Sequence, residues 1–195
     1  WCLVPFRQAY YKRHQSFSID VSLKEKKMKN YTVRDYVHIA LVAALYVVLT
    51  ITPPLNAISY GMYQFRVAEM MNFLAFFNKK YIIAVTLGCM IANFYSFGLI
   101  DVFVGGGSTL LFVTLGVLLF KKYKNDYVFN GLFNKAFFYF SLFFAASMIT
   151  VAIELSFFGS PFLLTWFTTA MGELASLLIG SIIIDKLSKR MHLEQ

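Results

Sequence analysis

"KNYTVRDYVHIALVAALYVVLT", Lys29 to Thr50, is the stretch on which the fold turns. A basic, polar lead enters an apolar run, Tyr36–Thr52, which stops at Pro53 and Pro54. A helix that crosses a hydrocarbon core of about 30 Å needs about 20 mostly apolar residues, and proline cannot continue one. Five more runs follow: Met62–Phe77, which is short, then Lys80–Phe97, Ile100–Phe120, Lys135–Phe157 and Pro161–Ile184. Proline at the start of the last is well placed, because a first-turn N–H has no helical partner anyway. The loops between runs are brief, which favours antiparallel neighbours. The expected fold is an all-α integral membrane protein, a compact bundle of six transmembrane helices.

Composition agrees. Of 195 residues, 58% are hydrophobic, 18% aromatic and only 14% charged, against about 45–50% apolar and about 25% charged in a soluble domain. The net charge of +8 does not point to nucleic acid, because the basic residues form no stripe with stacking aromatics. They sit in short clusters between apolar runs. Cys2 lies in the leading segment and Cys89 inside a run, so a disulfide framework is excluded as a fold determinant.

Those clusters orient the bundle. Lys24, Lys26, Lys27, Lys29 and Arg34 precede the first run, and Lys79 and Lys80 divide the second from the third. Lys121, Lys122, Lys124 and Lys135 divide the fourth from the fifth, and Lys186, Lys189 and Arg190 follow the sixth. In a six-span arrangement all fall on one face. The opposite loops, Pro53–Gly61, Ser96–Leu99 and Leu155–Ser160, hold no lysine or arginine. The positive-inside rule makes both termini cytoplasmic. Residues 1–30 then form an N-terminal cytoplasmic tail and 31–195 the six-helix transmembrane domain. The tail is polar, lacks the apolar core of a signal peptide, and reads as an upstream extension of a natural start at Met28.

A charge at the centre of a membrane helix costs about 2.5–3.5 kcal/mol, and such residues default to a functional reading. Apart from Asp185 at the inner end of the sixth run, those within the bundle are Arg66, Glu69, Asp101, Glu154 and Glu173. By depth all five fall from the midplane outward. Asn72, Asn93, Tyr60, Gln64 and Trp166 lie at compatible depths, and Tyr60, Tyr63 and Trp166 are the stacking candidates. The expected site is a polar cavity reached from outside. Bland roles compete: Arg66 and Glu69, at i and i+3, can pair with each other, Asp101 can cap a helix, and Glu154 can sit among headgroups.

Ala40 and Ala44, four apart with Ala43 beside them, have the small-residue spacing that lets a second helix approach closely. That helix is either a partner's, near the inner face, or one of the chain's own. "GGGS", Gly105–Ser108, lacks the Gly-Lys-Ser/Thr of a phosphate loop and reads as close packing or a local break. There is no ATPase motif, no zinc spacing around His14, His38 or His192, and no nucleophile–base set at one depth. No metal or other cofactor is implied. An outward site without an engine points to capture, with energy supplied by a partner or an ion gradient.

"ISYGMYQFRVAEMMN" resembles the QueT family, the substrate-binding membrane subunits (S components) of energy-coupling factor transporters for queuosine precursors. The matching positions are Tyr60, Gly61, Gln64, Phe65, Arg66 and Glu69. "DVFVGGGSTL" is similar to the family's Asp-x3-Gly-x3-Thr-Leu through Asp101, Gly105, Thr109 and Leu110, and Gly172–Glu173 fits its Gly-Glu. Gly106 and Gly107 depart from the pattern, and the residues up to Lys27 have no counterpart in it. The resemblance covers about Asn30 to Lys186. It implies a six-helix subunit that docks, through an alanine motif in its first helix, on a transmembrane coupling subunit carrying two ATPases. It also implies a deazaguanine ligand. A guanine-like edge offers adjacent N–H donors that carboxylates accept well, and an aminomethyl substituent would be cationic and prefer a second carboxylate. Glu69, Glu154 and Glu173 are then expected to contact ligand directly or through one intervening group, Arg66 to position Glu69, Asn72 or Asn93 to read the remaining donors and acceptors, and Tyr60 or Trp166 to stack.

Two other classes fit the residues less well. A proton-coupled secondary transporter is permitted by intramembrane carboxylates, but no inverted repeat is evident. An intramembrane enzyme using Glu and Asp as acid and base lacks a nucleophile or metal set.

Overall fold

Helices form almost wherever an apolar run was read, because those runs carry few helix breakers. The computed structural model describes residues 31–60, 64–95 and 98–191. The tail 1–30, Gly61, Tyr63 and part of the Ser96–Leu99 loop lie outside the described residues. The chain divides into two units, Trp1–Arg34 and Asp35–Gln195, and the second carries the bundle.

The elements are α1 (Val33–Ile51), a short α2 (Leu55–Ser59), a 3₁₀ helix (Val67–Phe76), α3 (Lys80–Phe94), α4 (Leu99–Phe120), a 3₁₀ turn (Lys121–Tyr123), a hairpin of β1 (Tyr127–Val128) and β2 (Phe133–Asn134), α5 (Lys135–Ala146), α6 (Ile149–Phe157) and α7 (Phe162–Met191). Four stretches are long and apolar enough to cross a membrane: Val33–Ile51, Leu99–Tyr123, Lys135–Phe157 and Phe162–Arg190. Val67–Phe76 and Lys80–Phe94 are shorter apolar helices. Apart from its two-residue strands, this is an all-α membrane protein.

Three expectations are corrected. The run Met62–Phe77 does not form an α-helix; Gln64–Arg66 are irregular and a 3₁₀ helix follows. With three residues per turn and a rise of about 2.0 Å, ten residues extend about 20 Å and eclipse side chains at i and i+3. That stacks Glu69 over Asn72 in one column and Phe73 over Phe76 in another. The phenylalanine column meets α5, with ring centroids 4.5 Å apart for Phe73–Phe137 and 5.4 Å for Phe76–Phe140. Second, Lys135–Phe157 is broken at Ser147–Met148. The Ser147 hydroxyl donates to the Phe144 carbonyl at 2.6 Å, and the Trp166 indole N–H donates to the Ala146 carbonyl at 3.2 Å, so side chains serve carbonyls that the break releases. Third, Pro161 precedes α7 rather than opening it, its carbonyl accepting from the Thr165 amide at 3.0 Å.

Asn134 caps α5, accepting from the Ala136 amide at 3.0 Å and the Phe137 amide at 3.4 Å. At the same end, Lys80 is not a loop charge. It is buried, 2.8 Å from Asp35 and 3.0 Å from Nδ1 of His38, which joins the start of α3 to the start of α1. Lys124 lies 4.1 Å from the Phe77 ring centroid, and the Tyr127 hydroxyl donates to Asp185 at 3.0 Å. The outer faces are apolar, as at Leu41, Leu111 and Leu163, whereas the buried interior holds Arg66, Glu69, Asn72, Asp101, Glu154 and Glu173. That inversion suits a lipid solvent.

Candidate functional site

Arg66 is the hub of the interior. It caps the 3₁₀ helix in an extended conformation, and the Ser176 hydroxyl of α7 donates to its carbonyl at 2.5 Å. Its guanidinium donates to Asn93 Oδ1 at 3.5 Å and to Gln64 Oε1 at 3.4 Å, and it lies 5.6 Å from the centroid of the Tyr60 ring. Both bonds are long, hence weak, so the group is aimed more than it is consumed. Its Nε has no hydrogen-bond partner among the described residues.

The residues that hold Arg66 are themselves held. Asn93 donates through Nδ2 to the Asp101 carbonyl at 3.2 Å and to Cys89 Sγ at 3.5 Å. Gly105 permits this: a Cβ there would collide with the Asn93 amide. Gly106 likewise abuts Met90, while Gly107 faces open space, so "GGGS" is close packing within a continuous α4 and not a break. Gln64 adopts φ 41°, in the left-handed region, which turns the chain into the 3₁₀ helix. The Tyr60 hydroxyl donates to the Ala92 carbonyl at 2.8 Å. Burial pushes that phenol up to about 12, with Arg66 pulling the other way, so it remains a donor at neutral pH.

Glu69 faces Tyr46 and Asn72. The Tyr46 hydroxyl donates to Oε1 at 2.5 Å, and Asn72 Nδ2 donates to Oε2 at 2.5 Å. No ion pair joins Arg66 to Glu69 among the described residues, so the pairing that the i,i+3 spacing allowed is not made. Tyr46 was missed by the sequence reading. One aromatic in "VAALYVV" carries no polar pattern, and its signal is spatial: Gly88 of α3 lies under it, where a Cβ would sit 2.7 Å from the Tyr46 Cβ.

Glu173 on α7 is 1% exposed and its Oε1 lacks a partner among the described residues. Glu154 on α6 is buried with both oxygens in that condition, as is Asn72 Oδ1. Asp101 sits buried in the first turn of α4, where a carboxylate suits the helix dipole; Gly98, not Asp101, occupies the cap. Glu69, Asp101, Glu154 and Glu173 all interact electrostatically with Arg66. One guanidinium thus serves four carboxylates. The described atoms left unmatched in this cluster are mostly acceptors.

Residues 36–189 match the family described as QueT transporter. The chain belongs to the QueT family. It is 64% identical over 171 residues, 87% of this chain and 99% of the relative, to a protein named "Queuosine precursor transporter QueT" from Lactococcus lactis subsp. cremoris (strain MG1363). No solved structure matches. QueT proteins are transporters, which agrees with the absence of any enzymatic set in the sequence reading.

Of the ten site residues read from the sequence, the QueT chain joins Arg66, Gln64 and Asn93 in one bonded set, with Asp101 linked through its carbonyl and the Tyr60 ring against the guanidinium, and Glu69 and Asn72 in a second set with Tyr46. Glu154 and Glu173 join Arg66 electrostatically. Trp166 is spent on the α5–α6 break. On α1, Ala40 and Ala44 are exposed, whereas Ala43 is buried with its carbonyl against Gly88.

Proposed function

We propose that the chain is the substrate-binding membrane subunit of an energy-coupling factor uptake transporter. In this reading six helical passes, with both termini cytoplasmic, capture a queuosine precursor of deazaguanine type from outside. The observation that carries it is the buried acceptor set, unpartnered among the described residues: Asn72 Oδ1, both Glu154 oxygens and Glu173 Oε1, with the Arg66 Nε–H as a donor among them. A deazaguanine offers the complement, with ring and exocyclic N–H donors on one edge, a ring carbonyl beside them and, in the aminomethyl form, a cation. Buried polar groups need partners, and this ligand supplies them. The relative's printed substrate agrees.

The topology is supported by the contacts at one end of the bundle. Asp35, Phe77, Lys80, Lys124, Tyr127 and Asp185 meet in pairs there, as expected if α1 and α3 leave the cytoplasm and the 3₁₀ helix and α7 return to it. The partner would be a transmembrane coupling subunit carrying two ATPases, and Ala40 and Ala44 are free on α1 to receive it. The test is titration of the purified chain in lipid nanodiscs with 7-aminomethyl-7-deazaguanine. Saturable binding is expected, and vesicles holding the chain alone should accumulate none. Failure to bind any deazaguanine sinks the substrate, and uptake by the chain alone would favour an ion-coupled carrier.

A further inference from the structure

Asn72 is fully buried, one 3₁₀ turn beyond Glu69. An amide can present either its carbonyl or its amino group, and the neighbour that takes one end decides which. Here Nδ2 is committed to Glu69 Oε2 at 2.5 Å, and the other carboxylate oxygen is held by the Tyr46 hydroxyl at 2.5 Å. With the Tyr46 hydroxyl and the Asn72 amino group both donating to it, Glu69 acts as the acceptor toward each and takes the amino end of the amide. The carbonyl is left unpartnered among the described residues. Gly88 packs directly against the stem of Tyr46, where a Cβ would lie 2.7 Å from the Tyr46 Cβ.

We propose that Tyr46 and Glu69 are positioning residues that lock Asn72 as an acceptor, making it a specificity determinant for bases that offer an N–H at that point. Glu69 does not touch the ligand; both its oxygens are used within the protein. With Glu173 Oε1, also unpartnered among the described residues, the Asn72 carbonyl supplies the acceptors that the ring N–H and exocyclic amine of a guanine-type edge would need. An adenine-type edge sets a ring-nitrogen lone pair where guanine has N–H and a C–H where guanine has its exocyclic amine, so in the same pose it offers the two acceptors no donor and is rejected. The inference rests on the deazaguanine reading of the site and adds to it how the base is discriminated.

The test compares 7-deazaguanine with 7-deazaadenine as probes, by titration of the full chain in nanodiscs. A site built to hydrogen-bond a substrate group rejects an analogue lacking it by up to about 10⁴-fold, and wild type is expected to prefer deazaguanine by at least about 10²-fold. In Glu69→Gln the new amide accepts from Tyr46 and can donate to Asn72 Oδ1, turning the Asn72 amino group toward the ligand. The preference should then fall by about tenfold or more, with deazaadenine binding as well as or better than before. A merely structural role for Glu69 would weaken both probes alike, and that result, or an unchanged ratio, overturns the proposal. If Glu69→Gln does not fold, Tyr46→Phe carries the test, since it removes one hydroxyl and loosens the carboxylate. Its ratio should fall by about threefold or more, and an unchanged ratio overturns the relay. Wild type binding neither probe overturns the deazaguanine reading and the relay with it, whereas wild-type selectivity that survives both variants overturns the relay alone.

Discussion

Arg66 and Glu69 are three residues apart, yet they turn to different partners: Arg66 to Asn93 and Gln64, Glu69 to Tyr46 and Asn72. The 3₁₀ geometry is the cause. Arg66 is extended at the cap, and Glu69 lies inside the helix, over Asn72. Arg66→Lys keeps the charge but loses the planar fork that reaches two acceptors. We expect at least about a tenfold loss of ligand affinity with little change in melting temperature. Titration and thermal unfolding of the same preparation check both halves.

Gly88→Ala tests how Tyr46 is aimed. Alanine gains about 1 kcal/mol of helix propensity over glycine, but its Cβ would meet the Tyr46 Cβ at 2.7 Å and the Ala43 carbonyl at 3.1 Å. Overpacking costs about 1–3 kcal/mol and offsets that gain, because the atoms met are the stem of Tyr46 and a backbone carbonyl rather than the far end of a flexible side chain. The expected result is a net loss of up to about 2 kcal/mol of stability, with weaker ligand binding, measured by thermal unfolding and titration.

The all-α membrane character was legible from the apolar runs, since lipid solvent imposes length on any helix that enters it. The membership of the polar cluster was legible too, because charge in such a chain is conspicuous. Its wiring was not. Whether residues 67–76 wind as α or 3₁₀ depends on how Phe73 and Phe76 seat against Phe137 and Phe140, which no local pattern states. Lys80 read as a loop charge because its partners Asp35 and His38 are more than forty positions away in the chain. Tyr46 needed Gly88 to reveal it.

Lys80 predicts an asymmetry. Breaking a buried ion pair by removing one partner costs about 3–5 kcal/mol. Asp35, at 26% side-chain exposure, is partly in solvent, which screens the pair, so Lys80→Met should cost about 1–3 kcal/mol. The double variant Asp35→Leu/Lys80→Met should recover part of that loss. Thermal unfolding of the single and double variants measures the coupling.

On α1 the alanines separate two roles. Ala40→Leu and Ala44→Leu alter exposed positions and should leave ligand binding within about twofold while impairing uptake in cells that supply the coupling partner. Ala43→Leu overfills a buried site and should destabilise the chain by about 1–3 kcal/mol. Binding, uptake and melting measured together distinguish them.

The central claim is that the buried acceptors around Arg66 bind a donor-rich deazaguanine, and Glu173 tests it most directly. It is nearly inaccessible, and its Oε1 finds no protein partner among the described residues. The measurement is the affinity of folded Glu173→Gln for 7-aminomethyl-7-deazaguanine beside that of wild type. The account predicts a loss of about 10²-fold, since a charge-assisted bond is replaced by a neutral one and an amide N–H is set against a donor. Affinity equal to wild type in a folded Glu173→Gln protein would contradict it.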